Sequence, residues 1–185
     1  MNDTPTLFKV VTTKRKPTGG FSGHERPHEG ETNIWLTPKY IIDDLGPFDL
    51  APCACETRWF DCARVNLTER EDGLATDWSK MGGGMVWLNP PYGPHLGKWF
   101  RKLIPHGNGI SLTFARTDTK AIQYALSHCD AVLFPKSRLS FYRPTGEQGN
   151  ASGAPSMFIA FGPEAVKRLE RSTLDGVLFY ARRNA

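Results

Sequence analysis

Gly84-Met85-Val86-Trp87-Leu88-Asn89-Pro90-Pro91-Tyr92 is an apolar run that ends in a double proline, and it reads as a strand feeding a rigid turn at Gly93 and Pro94. Each proline holds φ at roughly −65° and removes a backbone donor, so the turn presents carbonyl acceptors and few N–H groups. The side-chain oxygen of Asn89 joins the Pro90 carbonyl as a second acceptor, with Pro91 fixing the turn. Two acceptors converging on one exocyclic amine draw off both of its hydrogens and leave its lone pair free to attack. Tyr92 adds a flat ring on which a base taken out of a duplex can stack.

Outward from this turn, strands and helices alternate. Thr37-Pro38 reads as a helix cap followed by proline at the first helical position, and Tyr40, Ile41, Ile42 and Leu45 as a short helix stopped by Gly46-Pro47. Phe48 to Leu50 reads as a strand, Glu56 to Arg64 as a helix and Val65 to Leu67 as another strand. Beyond the turn come a helix from Leu96 to Ile104, a strand from Ile110 to Ala115, a helix from Asp118 or Thr119 to His128, and a strand from Ala131 to Phe134. Strands near Leu139 to Tyr142, Ser156 to Phe161 and Val177 to Tyr180, with a helix from Glu164 to Arg171, complete the series. This pattern predicts an α/β domain with a central, mostly parallel sheet flanked by helices. Residues 1–30 lack apolar periodicity and carry the cluster Lys14-Arg15-Lys16, so a flexible arm is expected there and a single domain over residues 31–185.

Composition sets the class. A hydrophobic fraction of 39% suits a soluble globular chain, and no run approaches the roughly 20 apolar residues of a membrane helix. The N-terminus lacks the basic-then-apolar order of a secretory signal, so the expected location is the cytoplasm, with no membrane partner. A formal net charge of +4 agrees with a polyanionic partner without demanding one. Cys53, Cys55, Cys62 and Cys129 contain no C-x-x-C pair; they read as reduced thiols, and no metal is assigned.

Gly84 to Tyr92 resembles the strand and (D/N)PPY motif of methyltransferases that act on amino nitrogens, chiefly of adenine in DNA. Trp35-Leu36-Thr37-Pro38, Phe48-Asp49-Leu50-Ala51-Pro52-Cys53-Ala54, and Asp72-Gly73-Leu74 followed by Asp77-Trp78 extend the likeness over residues 33–162. Together they are similar to the phage-type (Dam-like) DNA N-6-adenine methyltransferases. The resemblance implies a Rossmann-like S-adenosylmethionine-dependent fold and methyl transfer to the 6-amino group of adenine in double-stranded DNA. If the chain is phage-encoded, the cytoplasm is that of the host. Residue by residue, Asn89, Pro90, Pro91 and Tyr92 carry the catalytic roles, and Pro52 and Cys53 bring the backbone close to S-adenosyl-L-methionine. Asp77 and Trp78 meet the cofactor's adenine, and Thr37 and Pro38 aim a helix N-terminus at its methionine carboxylate. Ala51 departs from the family's acidic residue before Pro-Cys, so either Asp49, on the same strand face, takes over polar work or cofactor binding suffers.

Reaching a base inside a duplex requires grip on flanking phosphates. Arg116, Lys136, Arg138 and Arg143 all follow strands and are the candidate DNA contacts. The polar segment from Arg143 to Gly153 reads as a long flexible loop that offers Gln148 and Asn150 to base edges. The chain has no room for the separate recognition domain of larger relatives, so specificity is expected to come from short loops, from a second subunit in a homodimer, or to be weak. The same turn also serves methylation of RNA bases and of protein glutamine, and a cofactor-deficient DNA-binding relative is the alternative outside enzymes.

Overall fold

Val86, Trp87 and Leu88 are all buried, as suits a strand with helices over both of its faces, and they lie within a seven-stranded sheet. The computed structural model describes residues 35–181. The expected N-terminal arm and its Lys14-Arg15-Lys16 cluster lie outside the described residues. In chain order the elements are α1 (Lys39–Leu45), β1 (Leu50–Ala51), β2 (Val65–Asn66), a single 3-10 turn (Trp78–Met81), β3 (Val86–Leu88), α2 (Leu96–His106) and β4 (Gly109–Phe114). They continue with α3 (Lys120–Leu126), β5 (Ala131–Pro135), β6 (Ser140–Tyr142), β7 (Gln148–Ala151), β8 (Ser156–Phe161), α4 (Pro163–Arg171) and β9 (Gly176–Tyr180).

The sheet order is β2-β1-β3-β4-β8-β5-β9. The first four strands are mutually parallel. β8 is antiparallel to both β4 and β5, so β5 points the same way as β1 to β4, and β9 forms the far edge antiparallel to β5. The sheet is therefore mixed, with five strands sharing one direction. After β1 the chain steps outward to β2 and then returns to the other side of β1 as β3, which opens a crevice at the carboxyl ends of β1 and β3.

Strand alternation divides the core into two layers. Trp87, Ile110, Leu112 and Phe158 turn to one face, against Ile41, Ile42 and Leu45 of α1 and Ala165 and Leu169 of α4. Val86, Leu88, Met157 and Ile159 turn to the other, against α2 and α3. The spacing of Leu96, Trp99, Phe100 and Leu103 gives α2 one apolar stripe, and Gly107 ends that helix with φ at 71°.

Three expectations change. Pro38, not Thr37, occupies the cap position of α1, and no side chain caps that end. No helix forms between Glu56 and Arg64, because local polar bonds hold the segment in turns: Arg58 pairs with Asp61 at 2.7 Å and also donates to Cys55 O, while Asn66 Oδ1 accepts from the Cys62 N–H. The segment from Arg143 to Gly153 is no open loop but the end of a hairpin in which β7 pairs antiparallel with β6. Its turn is closed by the Arg143 N–H to Glu147 O at 2.8 Å and the Gly146 N–H to Arg143 O at 2.9 Å.

Arg168 ties α4 to the end of α1. Its buried guanidinium donates to the carbonyls of Leu45 and Pro47 and to Glu164, and lies 5.6 Å from the Phe48 ring centroid. Replacement by methionine keeps the stem but leaves two carbonyls without their donor, so Arg168→Met is expected to lower stability by about 2 kcal/mol in denaturant titration. Asp44 holds the α4–β9 connection, accepting from Ser172 Oγ at 2.6 Å and from the Thr173 N–H and hydroxyl. Burial pushes its carboxyl up, but these bonds outweigh burial and keep it below the ordinary 3.8. A carboxyl depressed by folding stabilises above its unfolded value and loses that contribution as pH falls through the folded one. Wild type should therefore lose stability below pH 3.8 more steeply than Asp44→Asn, measured by thermal melts across pH.

Candidate active site

Asn89 leaves the carboxyl end of β3 at the rim of the crevice. Pro90 is buried beneath the turn, whereas Pro91, Tyr92, Gly93 and Pro94 are exposed. Gly93 has φ of 138°, a conformation that side chains disfavour, and its carbonyl accepts from the Leu96 N–H at 3.2 Å. The double proline and this glycine thus turn the chain from β3 into α2 and leave the corner open to solvent.

Three hydrogen bonds fix Asn89. Its Nδ2 donates to Thr37 Oγ1 at 3.0 Å, its backbone carbonyl accepts from Cys53 Sγ at 3.3 Å, and its Oδ1 accepts from the Tyr92 hydroxyl at 3.3 Å. The last is long, and the oxygen it engages lies on the Tyr92 side of the carboxamide. The Tyr92 ring stacks on Phe114 from the end of β4, with centroids 4.2 Å apart and planes 28° from parallel. Burial pushes the Cys53 thiol well above its ordinary value, so it stays protonated and able to donate. Burial likewise pushes Cys62 up to about 11.

The other sequence candidates divide between the two ends of the sheet. Pro52 and Cys53 lie at the carboxyl end of β1, beside the turn. Asp49 precedes β1 and accepts from the Met85 N–H at 2.7 Å, at the amino end of β3, so it is a strand-length away from Asn89. Asp77 is exposed and caps the 3-10 turn, accepting from the Ser79 N–H and hydroxyl. These bonds hold its carboxyl below the ordinary range. Trp78 is 3% exposed, donates to Gly73 O at 2.8 Å and meets the His106 ring edge-on. The structure therefore keeps Asp49 away from the Asn89 corner, whereas the Trp78 indole reaches the Gly73 turn.

The Asp72-Gly73-Leu74 turn reaches the end of β1 instead. A Cβ on Gly73 would lie 1.7 Å from Pro52 O, so only glycine permits this approach. Asp72 has φ of 45°, the one positive value at a non-glycine among the described residues, and it is exposed. The approach of Gly73 to Pro52 was hidden in the sequence, where only a glycine after an acidic residue signals it. Phe114 carried no signal at all, because it reads as one more apolar strand residue.

The family model for DNA N-6-adenine-methyltransferase (Dam) matches residues 25–174. The chain belongs to this family. No curated protein and no solved structure matches it. The protein is accordingly a methyltransferase acting on adenine N6 in DNA, and the family implies use of S-adenosylmethionine. Among the described residues, no helix of the methyltransferase is long and apolar enough to cross a membrane.

Three of its four candidate DNA-contacting cations follow the carboxyl ends of strands in the sheet that carries Asn89, and the fourth, Arg143, follows β6 in the separate hairpin. Arg116 follows β4 and is exposed, and Lys136 follows β5 and pairs with Asp175 at 3.1 Å. Arg138 donates to Ser152 O at 3.0 Å, across the base of the hairpin, and Arg143 holds its guanidinium 5.7 Å from the Trp35 ring. Gln148 is exposed on β7, while the side chain of Asn150 lies outside the described residues. From β3 to β5 is three strand spacings, about 14 Å, so the turn and Lys136 lie on one continuous rim of the methyltransferase.

Phe114→Leu keeps apolar bulk while removing the ring behind Tyr92. An aromatic pair contributes about 0.5–1.5 kcal/mol beyond burial, so kcat/KM on DNA should fall about threefold to tenfold with the fold retained. Steady-state methylation assays with circular dichroism as a fold control would check this.

Proposed function

We propose that Asn89, Pro90, Pro91 and Tyr92 form the catalytic corner for methyl transfer from S-adenosylmethionine to adenine N6. The observation that carries this reading is the Asn89 carboxamide: its Nδ2 is tied inward to Thr37, and its Oδ1 faces the exposed Tyr92 side. An incoming amine donates to Oδ1 in exchange for the long Tyr92 bond and to the Pro90 carbonyl at the same corner. Its lone pair is thereby directed away from both acceptors. Tyr92 is 41% exposed with one ring face on Phe114, so the flipped adenine stacks on the remaining face and extends the pair into three rings.

The crevice between β1 and β3 suits the cofactor, because open α/β sheets hold ligands where the strand order reverses. Pro52, Cys53 and Ala54 would hold it, and Asp72, next to Gly73 with its Oδ1 accepting from the Leu74 and Ala75 N–H groups, is a candidate for the carboxylate that Ala51 lacks. This strand order, with a reversed strand between two that share a direction, also supports the Rossmann-like methyltransferase reading of the fold. Bound S-adenosylmethionine supplies an electrophilic methyl carbon whose bond to sulfur breaks as the bond to N6 forms. The nitrogen then releases a proton to solvent, and the amide of Asn89 takes no part as a base. Arg116, Lys136, Arg138 and Arg143 contact flanking phosphates of the duplex.

Asn89→Ala should abolish transfer, by about a hundredfold or more in kcat if both orientation and polarisation are lost, while calorimetry still detects S-adenosylmethionine binding. A normal methylation rate in that variant would remove Asn89 from the mechanism. Detection of N6-methyladenine in DNA from cells expressing the chain tests the reaction itself.

A further inference from the structure

Thr37 occupies a position that its sequence context disguises. It precedes a helix, is only 3% exposed and carries a hydroxyl, which are the marks of an N-cap. Yet the cap position belongs to Pro38, no side chain caps α1, and the Thr37 hydroxyl accepts from Asn89 Nδ2, fifty-two residues further along the chain. Its neighbours leave it little freedom. Leu36 is locked to β6 by two backbone bonds, its N–H to Tyr142 O at 2.7 Å and the Tyr142 N–H to its own carbonyl at 2.9 Å. Pro38 restricts the other side. The hydroxyl is thus fixed by the hairpin and α1, independently of the turn it contacts.

We infer that Thr37 is a positioning residue for the methyl transfer, acting through Asn89 rather than on the cofactor; this rests on the proposed role of Asn89. A carboxamide needs a partner on its inner side to keep its oxygen outward, and the Thr37 hydroxyl oxygen, accepting from Nδ2, is that partner. In the observed arrangement the inner partner takes the NH2 group and the oxygen is left for the amine. Without the Thr37 oxygen, Nδ2 has lost its inner acceptor. The side chain then swings, or turns its donor outward against the hydrogens of the substrate amine. A group that sets this orientation changes the chemical step more than it changes binding.

Thr37→Val preserves shape and removes the hydroxyl, whereas Thr37→Ser retains it. Loss of one hydrogen bond predicts that kcat falls about fivefold to tenfold in Thr37→Val. The Kd for S-adenosylmethionine, read by calorimetry, should stay near wild type with circular dichroism showing the fold retained, and Thr37→Ser should recover most of kcat. An unchanged kcat in Thr37→Val would overturn the inference. Weaker cofactor binding with kcat intact would also overturn it, and would assign Thr37 to the cofactor. Equal loss of kcat in the serine variant would show that the hydroxyl is not the cause. Asn89→Ala, assayed alongside, separates the two readings: if it stays active the Asn89 role itself fails, whereas an inactive Asn89→Ala beside a fully active Thr37→Val overturns only the positioning role.

Discussion

The hydrogen bond from the Cys53 thiol to the Asn89 carbonyl spans the place where the strand order reverses. Two segments thirty-six residues apart in sequence meet there, one ending β1 and the other ending β3. Their neighbourhood follows from the parallel pairing of Leu50 with Val86, which brings both carboxyl ends to one rim. Burial keeps the thiol protonated, so it remains a donor and not a nucleophile. A sulfur donor makes a weak bond, but at this point it joins the segment that would hold the cofactor to the turn that would hold the amine. The rest of the corner depends on that registration, because Thr37 and Tyr92 can reach Asn89 only when its backbone is in place.

An exposed corner with few N–H groups is stable because its prolines have no N–H to satisfy. Pro90 is buried and Pro91 exposed, so the turn is anchored on one side and accessible on the other. The adjoining core supplies the stiffness. Trp87, just before the corner, meets Phe48 and Phe158 with ring centroids 5.2 and 6.4 Å away, while Leu88 packs with the α2 layer. The transition from a strand buried on both faces to an exposed turn therefore occupies two residues, Asn89 and Pro90, and Asn89 has one group on each side of that boundary.

Contacts between near neighbours in sequence were legible before the fold was known. The apolar run of β3, the proline turn, the stripe of α2 and the Thr119 cap of α3 all depend on residues within one or two turns of each other. The failures share a different cause. Thr37-Pro38 has the local form of a cap, but its hydroxyl is taken by a distant side chain. A strand was legible at β6, but its partner β7 was hidden by its polar composition, because polar residues on a two-stranded ribbon outside the main sheet give no apolar alternation to read. Phe114 becomes informative only when the neighbouring strand brings Tyr92 against it.

Magnitudes limit what the proposed corner can do by itself. Unstacking and unpairing a base costs a few kcal/mol. Stacking on an aromatic ring returns about 1–3 kcal/mol, and each hydrogen bond to the amine adds about 0.5–1.5 kcal/mol net. These terms roughly offset extrusion and leave little to hold the duplex. The remaining affinity has to come from outside the corner, and the chain has cations along the same rim, from Arg116 after β4 to Lys136 and Arg138 after β5. Phosphate contacts of this kind are independent of sequence and weaken with salt. In the proposed mode of binding, they hold the duplex in place while the corner selects an amine. Division of labour between a basic rim and a rigid turn is what a sheet with its strand ends on one side makes available to a small chain.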